Sequence, residues 1–279
     1  IRGGPEGARA GPGYASFLFL GTEDVHSAKD AELALGLIED VVRPRKRGSD
    51  ETALGLAFVP RSGQAALNEY AAGKIDDGAL MEAMATVEAD VEAVRTYLPL
   101  VKYARSVGVT FLALAPEASD LRLVRTDGIQ SLDPDRRSQY VVDPAGFIAL
   151  TQDPQFKLYA DKSLLRDFVP ESDGDSPGDY FAERIVAHEA AATACARWAS
   201  TRPDSLVIAV AKSEDVRYLV GGVNGRIPRI SKALDPENCI VDDEAVTTIL
   251  LNPTARGTLS VSTRLRLEIG TSPDNKMYQ

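Results

Sequence analysis

The stretch Glu51–Tyr70, ETALGLAFVPRSGQAALNEY, decides the fold class. Ala53–Val59 is a short apolar run with the length of a buried strand. Pro60 has no N–H for a sheet ladder and fixes its own φ, so the strand is expected to end there. Gly63 marks a turn, and from Gln64 the pattern becomes helical, with Ala65, Ala66 and Leu67 leading to Tyr70. A buried strand feeding a turn and a helix is the building unit of an open α/β sheet, in which ligands collect where strands end at their carboxyl side. Val59–Ser62 would lie at that edge, and the strand itself offers no acid, base or ligand.

The same grammar recurs on either side. Ser16–Leu20, SFLFL, reads as the first strand. Ser27 follows as an N-cap with Asp30 three residues on, and Leu33, Leu37, Ile38 and Val41 form one face of a helix that Pro44 stops. Arg43–Asp50 is a charged connection. Asp76–Ser106 reads as a largely helical block, with Met81, Met84, Val87, Val91, Val94 and Leu98 at core spacing. Val109–Ala115 is a third strand stopped by Pro116, and a short helix follows through Leu121–Arg125. Asp127–Ser176, with Pro134, Pro144, Pro154 and Pro170, reads as irregular with short helical turns, the kind of segment that serves as a lid, docking surface or insertion. Asp179–Ser200 is the longest helix and Leu206–Ala211 the fourth strand. Val216–Val220, Cys239–Val241 and Val246–Leu251 are expected as further strands, Pro228–Leu234 as a short helix, and Leu259–Ile269 as an edge strand or hairpin. This order predicts a largely parallel sheet covered on both faces.

Bulk properties narrow the function. A chain of 279 residues holds one large domain or two small ones and buries roughly three quarters of its unfolded surface, so it needs no metal or disulfide staple. The formal net charge of −10 argues against a nucleic-acid partner, which needs a basic face. No apolar run approaches the ~18 residues of a membrane span. Ile1–Gly13, rich in Gly, Arg and Ala, resembles a trimmed start and lacks the apolar core of a signal peptide. Cys195 and Cys239 lack the spacing of a zinc site and read as buried or unpaired thiols.

Several clusters could carry chemistry. Glu23, Asp24 and His26 follow the first strand and precede a helix, a place for a metal or an acid–base pair. The simpler reading is an acidic loop favouring the helix dipole. His188 and Cys195 share a helix face but stand too far apart to chelate one ion unaided; a surface or satisfied buried histidine is the plainer alternative. Gly221–Gly225, GGVNG, resembles a phosphate-cradling turn yet matches neither GxGxxG nor a P-loop. Arg226 and Arg229 could hold carboxylates or phosphates, or form ordinary salt bridges. No GxSxG, HExxH or CxxC occurs.

Four segments in order, LFLGTEDVHSAKDAELALGLI, GLAFVPRSGQAALNEYAAGKIDDGAL, YLPLVKYARSVGVTFLALAPEASDLRLVRTDGIQSL and LVIAVAKSEDVRYLVGGVNGRIPRIS, resemble the ChaN-like domain, the haem-binding uptake domain of the Tiki superfamily. The resemblance spans about Ser16–Pro253 and is similar to the version in plastid proteins of the RETICULATA-related kind. It implies a three-layer αβα fold with a largely parallel central sheet. It also implies a flexible segment over 1–15, the domain over 16–253, and an extension or edge hairpin over 254–279. The family's polar marks are a GE-x-H-type loop, a Glu ending the second strand and a GxxH-type loop. Here they fall on Gly21–His26, with Thr22 in place of the Glu, on Ala57, and on Lys212–Asp215, with Asp215 in place of the His. Two of three anchors are thus replaced, which implies a non-catalytic domain kept as a scaffold or accessory subunit, partnered by other protein subunits of a plastid complex and only peripheral to any membrane. No cofactor is expected on that reading. The alternative is a haem or tetrapyrrole binder using His26, Glu23, Tyr218 and Arg226, with Tyr14 as a further ligand candidate. A metal-dependent hydrolase using Glu23, Asp24, His26 and Asp215 is the third reading.

Overall fold

The computed structural model describes residues 15–43, 51–161, 176–218, 221–237, 241–254 and 267–269, with the single residues 165, 168, 170 and 239. Tyr14, the segment Ile1–Gly13 and nearly all of the Arg43–Asp50 connection lie outside them. Six strands, β1 (Ser16–Thr22), β2 (Thr52–Pro60), β3 (Thr110–Ala115), β4 (Leu206–Lys212), β5 (Val246–Leu251) and β6 (Leu267–Ile269), form one sheet in the order β3-β2-β4-β1-β5-β6. Every pairing among them is parallel. The near-continuous apolar runs are the sequence form of strands buried on both faces.

One face is covered by α1 (Ala28–Val42), α2 (Gln64–Ala71), α3 (Asp77–Thr86), α4 (Val91–Thr96) and α5 (Leu98–Ser106). They close over Leu18, Leu20, Leu54, Leu56, Ile208 and Val210. Ser27 caps α1 by accepting from the Asp30 N–H, as its spacing predicts. The largely helical block expected over Asp76–Ser106 is made of three helices, α3, α4 and α5. Glu88 adopts a left-handed φ of 56°, and Asp90 starts a new helix by accepting from the Ala93 N–H. Pro60 does end β2. Four steps along β2, from Leu56 to Pro60, match two along β3, from Ala113 to Ala115, so Ala57 lies in a bulge.

The opposite face is covered by α10 (Pro177–Ala199) and α12 (Val223–Leu234) over Phe17, Phe19, Ala53, Val207 and Ala209. The short helix expected through Leu121–Arg125 is α6 (Ala118–Asp127), and the segment read as irregular with short helical turns holds three ordered helices, α7 (Pro134–Tyr140), α8 (Pro144–Gln152) and α9 (Pro154–Tyr159). The prolines start these three. Each occupies the first helical turn behind an aspartate, Asp133, Asp143 or Asp153, whose carboxylate accepts from a backbone N–H. Together with α10 they bury a third apolar cluster that includes Tyr140, Phe147, Phe156, Tyr159 and Tyr218.

Three expectations at the C-terminal end are corrected. Val216–Val220 is not a strand in its described part: Ser213–Val216 forms the short helix α11, followed by Arg217 and Tyr218 in a loop. Asp215 is pinned there by side chains of α10, which outweighs the β propensity of the valines. The helix at Pro228 begins earlier, at Val223, with Pro228 inside it. The proline removes the bond to the carbonyl of Asn224, but the Asn224 side chain anchors that turn by donating to the Val216 carbonyl and to Thr248 Oγ1. Cys239 and Val241 carry no strand. Leu267–Ile269 is an edge strand lying parallel to β5. Among the described residues no helix is long and apolar enough to cross a membrane.

Candidate functional site

All strands being parallel, the loops after β1, β2, β4 and β5 gather at one sheet edge, the usual position for chemistry. His26 stands there with its side chain 46% exposed. Its Nε2 lies 3.0 and 2.9 Å from the two oxygens of Asp90, and its Nδ1 lies 3.5 Å from Asp24. The Asp90 hydrogen bond, joined by the charges of Asp90 and Asp24, raises the histidine above its ordinary 6.5 against the opposing effect of burial. Both ring nitrogens therefore face carboxylates, the arrangement of an imidazolium and not of a free metal ligand.

Glu23 accepts from the Thr254 N–H and hydroxyl and lies 3.9 Å from Arg217. Arg217 sits 6.0 Å from the Tyr218 ring centre. Thr22 donates to the buried Asp30 carboxylate, which also accepts from Asn252. Ala57, in the β2 bulge, packs on the α10 face of the sheet.

Behind this edge α10 carries two buried ionic groups. Arg184 donates to Asp215 and, at 2.8 Å, to Glu214. His188 Nε2 meets the same Asp215 oxygen at 2.8 Å. Burial alone would raise the Asp215 pKa, but Arg184 and His188 hold it well below the carboxylate range. Burial pushes His188 below 6.5, and Asp215 only partly offsets it, so the ring is neutral at pH 7. One residue further along α10, Glu189 is 0% exposed and accepts from Arg226, itself 1% exposed, and from Arg229. Arg229 continues to Asp143 at 2.9 Å. Arg226 also donates through Nε to the Gly221 carbonyl. Gly221 (φ +87°) leaves no room for a Cβ, which would stand 2.5 Å from Tyr159 and 2.6 Å from Phe156. The GGVNG turn is thus a close-packing device. Among the described residues, the buried atoms Arg184 Nε, His188 Nδ1, Tyr159 Oη and Arg226 Nη2 find no hydrogen-bond partner.

The structure links Glu23 to Tyr218 through Arg217, but His26 pairs with α4 on one face of the sheet and Arg226 with α10 on the other. Each of the four candidate residues thus has its own protein partners. Sequence reasoning missed Arg184, Glu189, Asp143 and Asp90; the available signal was the Ala-rich run following Glu189, which marks a helix face pressed closely against its neighbours. Among the described residues no group of three or more His, Cys, Asp or Glu side chains could hold a metal ion. Both cysteines are free, and burial pushes the Cys195 thiol up to about 12.

Comparison with protein families matches residues 14–224 to the haem-binding uptake family, Tiki superfamily, ChaN. The chain belongs to this ChaN family. The match covers most of the chain and ends inside α12, before β5. Among solved structures, the ChaN-family fold is shared with ChaN of Campylobacter jejuni, described with cofacial haem binding, at 14% identity over 84% of this chain and 80% of that one, TM-score 0.50. An erythromycin esterase (EreC) mutant in its open conformation aligns at 14% identity over 85% and 70% of the two chains, TM-score 0.45. A protein from Bacillus cereus aligns at 12% identity over 86% and 66%, TM-score 0.43. At this identity the likeness to ChaN of Campylobacter jejuni is one of fold alone. Comparison with curated proteins finds no significant match.

Proposed function

We propose that this chain is a non-catalytic ChaN-family domain, retained for binding and assembly. On this reading it is an accessory subunit among other protein subunits of a plastid complex, peripheral to any membrane there. The observation that carries the non-catalytic reading is that the carboxylates at the carboxyl edge of the sheet are already held by protein partners. Asp215 is held by Arg184 and His188, Asp90 by His26, Glu23 by Thr254, and Asp30 by Thr22 and Asn252. Where the family's second strand is expected to present a Glu, Ala57 presents a methyl, which can neither move a proton nor hold an ion. The plastid assignment rests on the resemblance of the quoted segments.

Haem is the ligand that family membership suggests, but the named residues do not fit it as they stand. Both His26 nitrogens face carboxylates, the Tyr218 ring is packed against Tyr159, and Arg226 is committed to Glu189. Titration of the full chain with zinc and manganese, alongside a peptide hydrolysis assay, is expected to give neither tight binding nor cleavage; tight binding with cleavage would refute the non-catalytic reading. Adding haem is expected to leave the Soret region unchanged. A Soret shift lost on His26→Ala or Tyr218→Ala would establish the haem reading in its place. Co-purification from native material, with the attached proteins identified, tests the assembly role.

A further inference from the structure

A concavity lies beside the edge strand β3, on the α10 face of the sheet. It encloses about 240 Å³ between the start of α2 and the last turns of α10. That is below the ~300–1,000 Å³ of pockets for drug-sized ligands, so its occupant is small. It is lined by Leu112 and Ala113 of β3, by Arg61, and by Ala194, Arg197 and Trp198 of α10; the Arg202 guanidinium lies 4.7 Å from the Trp198 ring centre. Gln64 closes the β3 side, its amide donating to the Phe111 carbonyl and accepting from the Ala113 N–H. Those strand groups are therefore spoken for, and the cleft is not a vacant peptide-pairing edge.

The charge of this cleft is unusual for the chain. Acidic residues outnumber basic ones 41 to 31, yet the cleft is lined by two guanidiniums and no carboxylate. Neither arginine forms an ion pair with a described residue. Each spends an N–H on the last turn of α7, Arg61 on the Gln139 carbonyl at 3.2 Å and Arg197 on the Ser138 carbonyl at 3.2 Å. Arg61 also lies over the Tyr140 ring at 5.9 Å. These contacts orient the two planes and leave most of their five donors uncommitted. Partial burial and, after it, the Arg61 charge depress Arg197 below its ordinary value. Arginine forks suit carboxylate and phosphate oxygens, and the indole and Leu112 suit an apolar body.

We propose that the cleft beside β3 binds a small organic anion, a carboxylate or phosphate monoester with a compact apolar body, gripped by Arg61 and Arg197 and packed on Trp198. Trp198 is the chain's single tryptophan, so fluorescence excited at the red edge of the indole band, where the nine tyrosines do not absorb, reports on this cleft. The test is titration of the full chain with benzoate, phenyl phosphate and inorganic phosphate. Saturable quenching or a spectral shift is expected with an organic anion, and the better of the two identifies the head group. Inorganic phosphate is expected to bind at least about tenfold more weakly. Arg61→Gln and Arg197→Gln each weaken binding about tenfold or more, as expected for a charge-assisted hydrogen bond removed. Arg197→Lys, which keeps the charge but loses the fork, weakens it several-fold while melting like the parent. Arg95→Gln, an exposed arginine on the opposite face, leaves it unchanged. Absence of saturation with both organic anions, or binding that survives both glutamine variants, overturns the proposal. Inorganic phosphate binding as tightly as phenyl phosphate overturns the part assigned to Trp198.

Discussion

Helices α1–α5 cover one face of the sheet with apolar side chains and a single buried carboxylate, Asp30, held by Thr22 and Asn252, whereas α10 and α12 cover the other with apolar side chains and buried ion pairs. On the first face Leu67, Leu80, Met84, Val94 and Leu100 are fully enclosed, and the ion pairs lie outside at the rim. On the second, His188, Glu189 and Arg226 are enclosed with the alanines. Apolar packing tolerates volume-conserving change, because each contact is small and non-directional. A buried ion pair does not: its desolvation is offset only while both partners remain. The second face is therefore the brittle one, although it packs against the same sheet.

The strongest way to break this contrast is Glu189→Ala. It leaves the buried Arg226 without its counter-ion and is expected to cost about 3–5 kcal/mol in chemical denaturation; a loss under about 1 kcal/mol would show that Arg226 relaxes into water. Next is Gly221→Ala, which places a methyl against Tyr159 and Phe156 at a left-handed φ. It is expected to cost about 1–3 kcal/mol, read as a lowered denaturation midpoint with unchanged slope.

A finer probe uses the chain's two histidines, one on each face, whose shifts have opposite sign. His188 is held below 6.5, so the unfolded chain binds its proton first and stability falls as pH drops below 6.5. Asp215 and Asp143, depressed below 3.8, add a further loss at lower pH. His26 is raised, so its contribution is present below 6.5 and disappears as pH rises through its folded value. Imidazole NMR signals are expected to show one ring titrating above 6.5 and the other below it; two midpoints near 6.5 would erase the contrast. The smallest effect belongs to His26→Ala, at about 0–1 kcal/mol, because its pair with Asp90 is solvent-exposed.

The same contrast governs what could be read from sequence. The first four strands and the α1 cap are plain in apolar runs, prolines and Ser27, since burial on both sides leaves few polar interruptions. The boundaries inside Asp76–Ser106 are not, because the break depends on Glu88 turning left-handed and on Asp90 serving both α4 and His26. The prolines of Asp127–Ser176 were legible but misread: three Asp-Pro steps are helix starts. The ionic groups were hidden because Arg184, Glu189 and Asp143 look like surface residues until partners from distant segments meet them. Arg229 was readable as a salt-bridge former, and it is one. His188 and Asp215 each had a role in view, yet their union joins positions 27 residues apart and had no local mark.

The strand order has a consequence for how the chain is made. β1 lies between β4 and β5, so Ser16–Leu20 finds no sheet neighbour until residues beyond 205 have left the ribosome. During most of synthesis β2 and β3 can pair, while SFLFL must wait as an exposed aggregation-prone segment. Nascent-chain truncations should therefore stay dependent on chaperones until β4 has emerged.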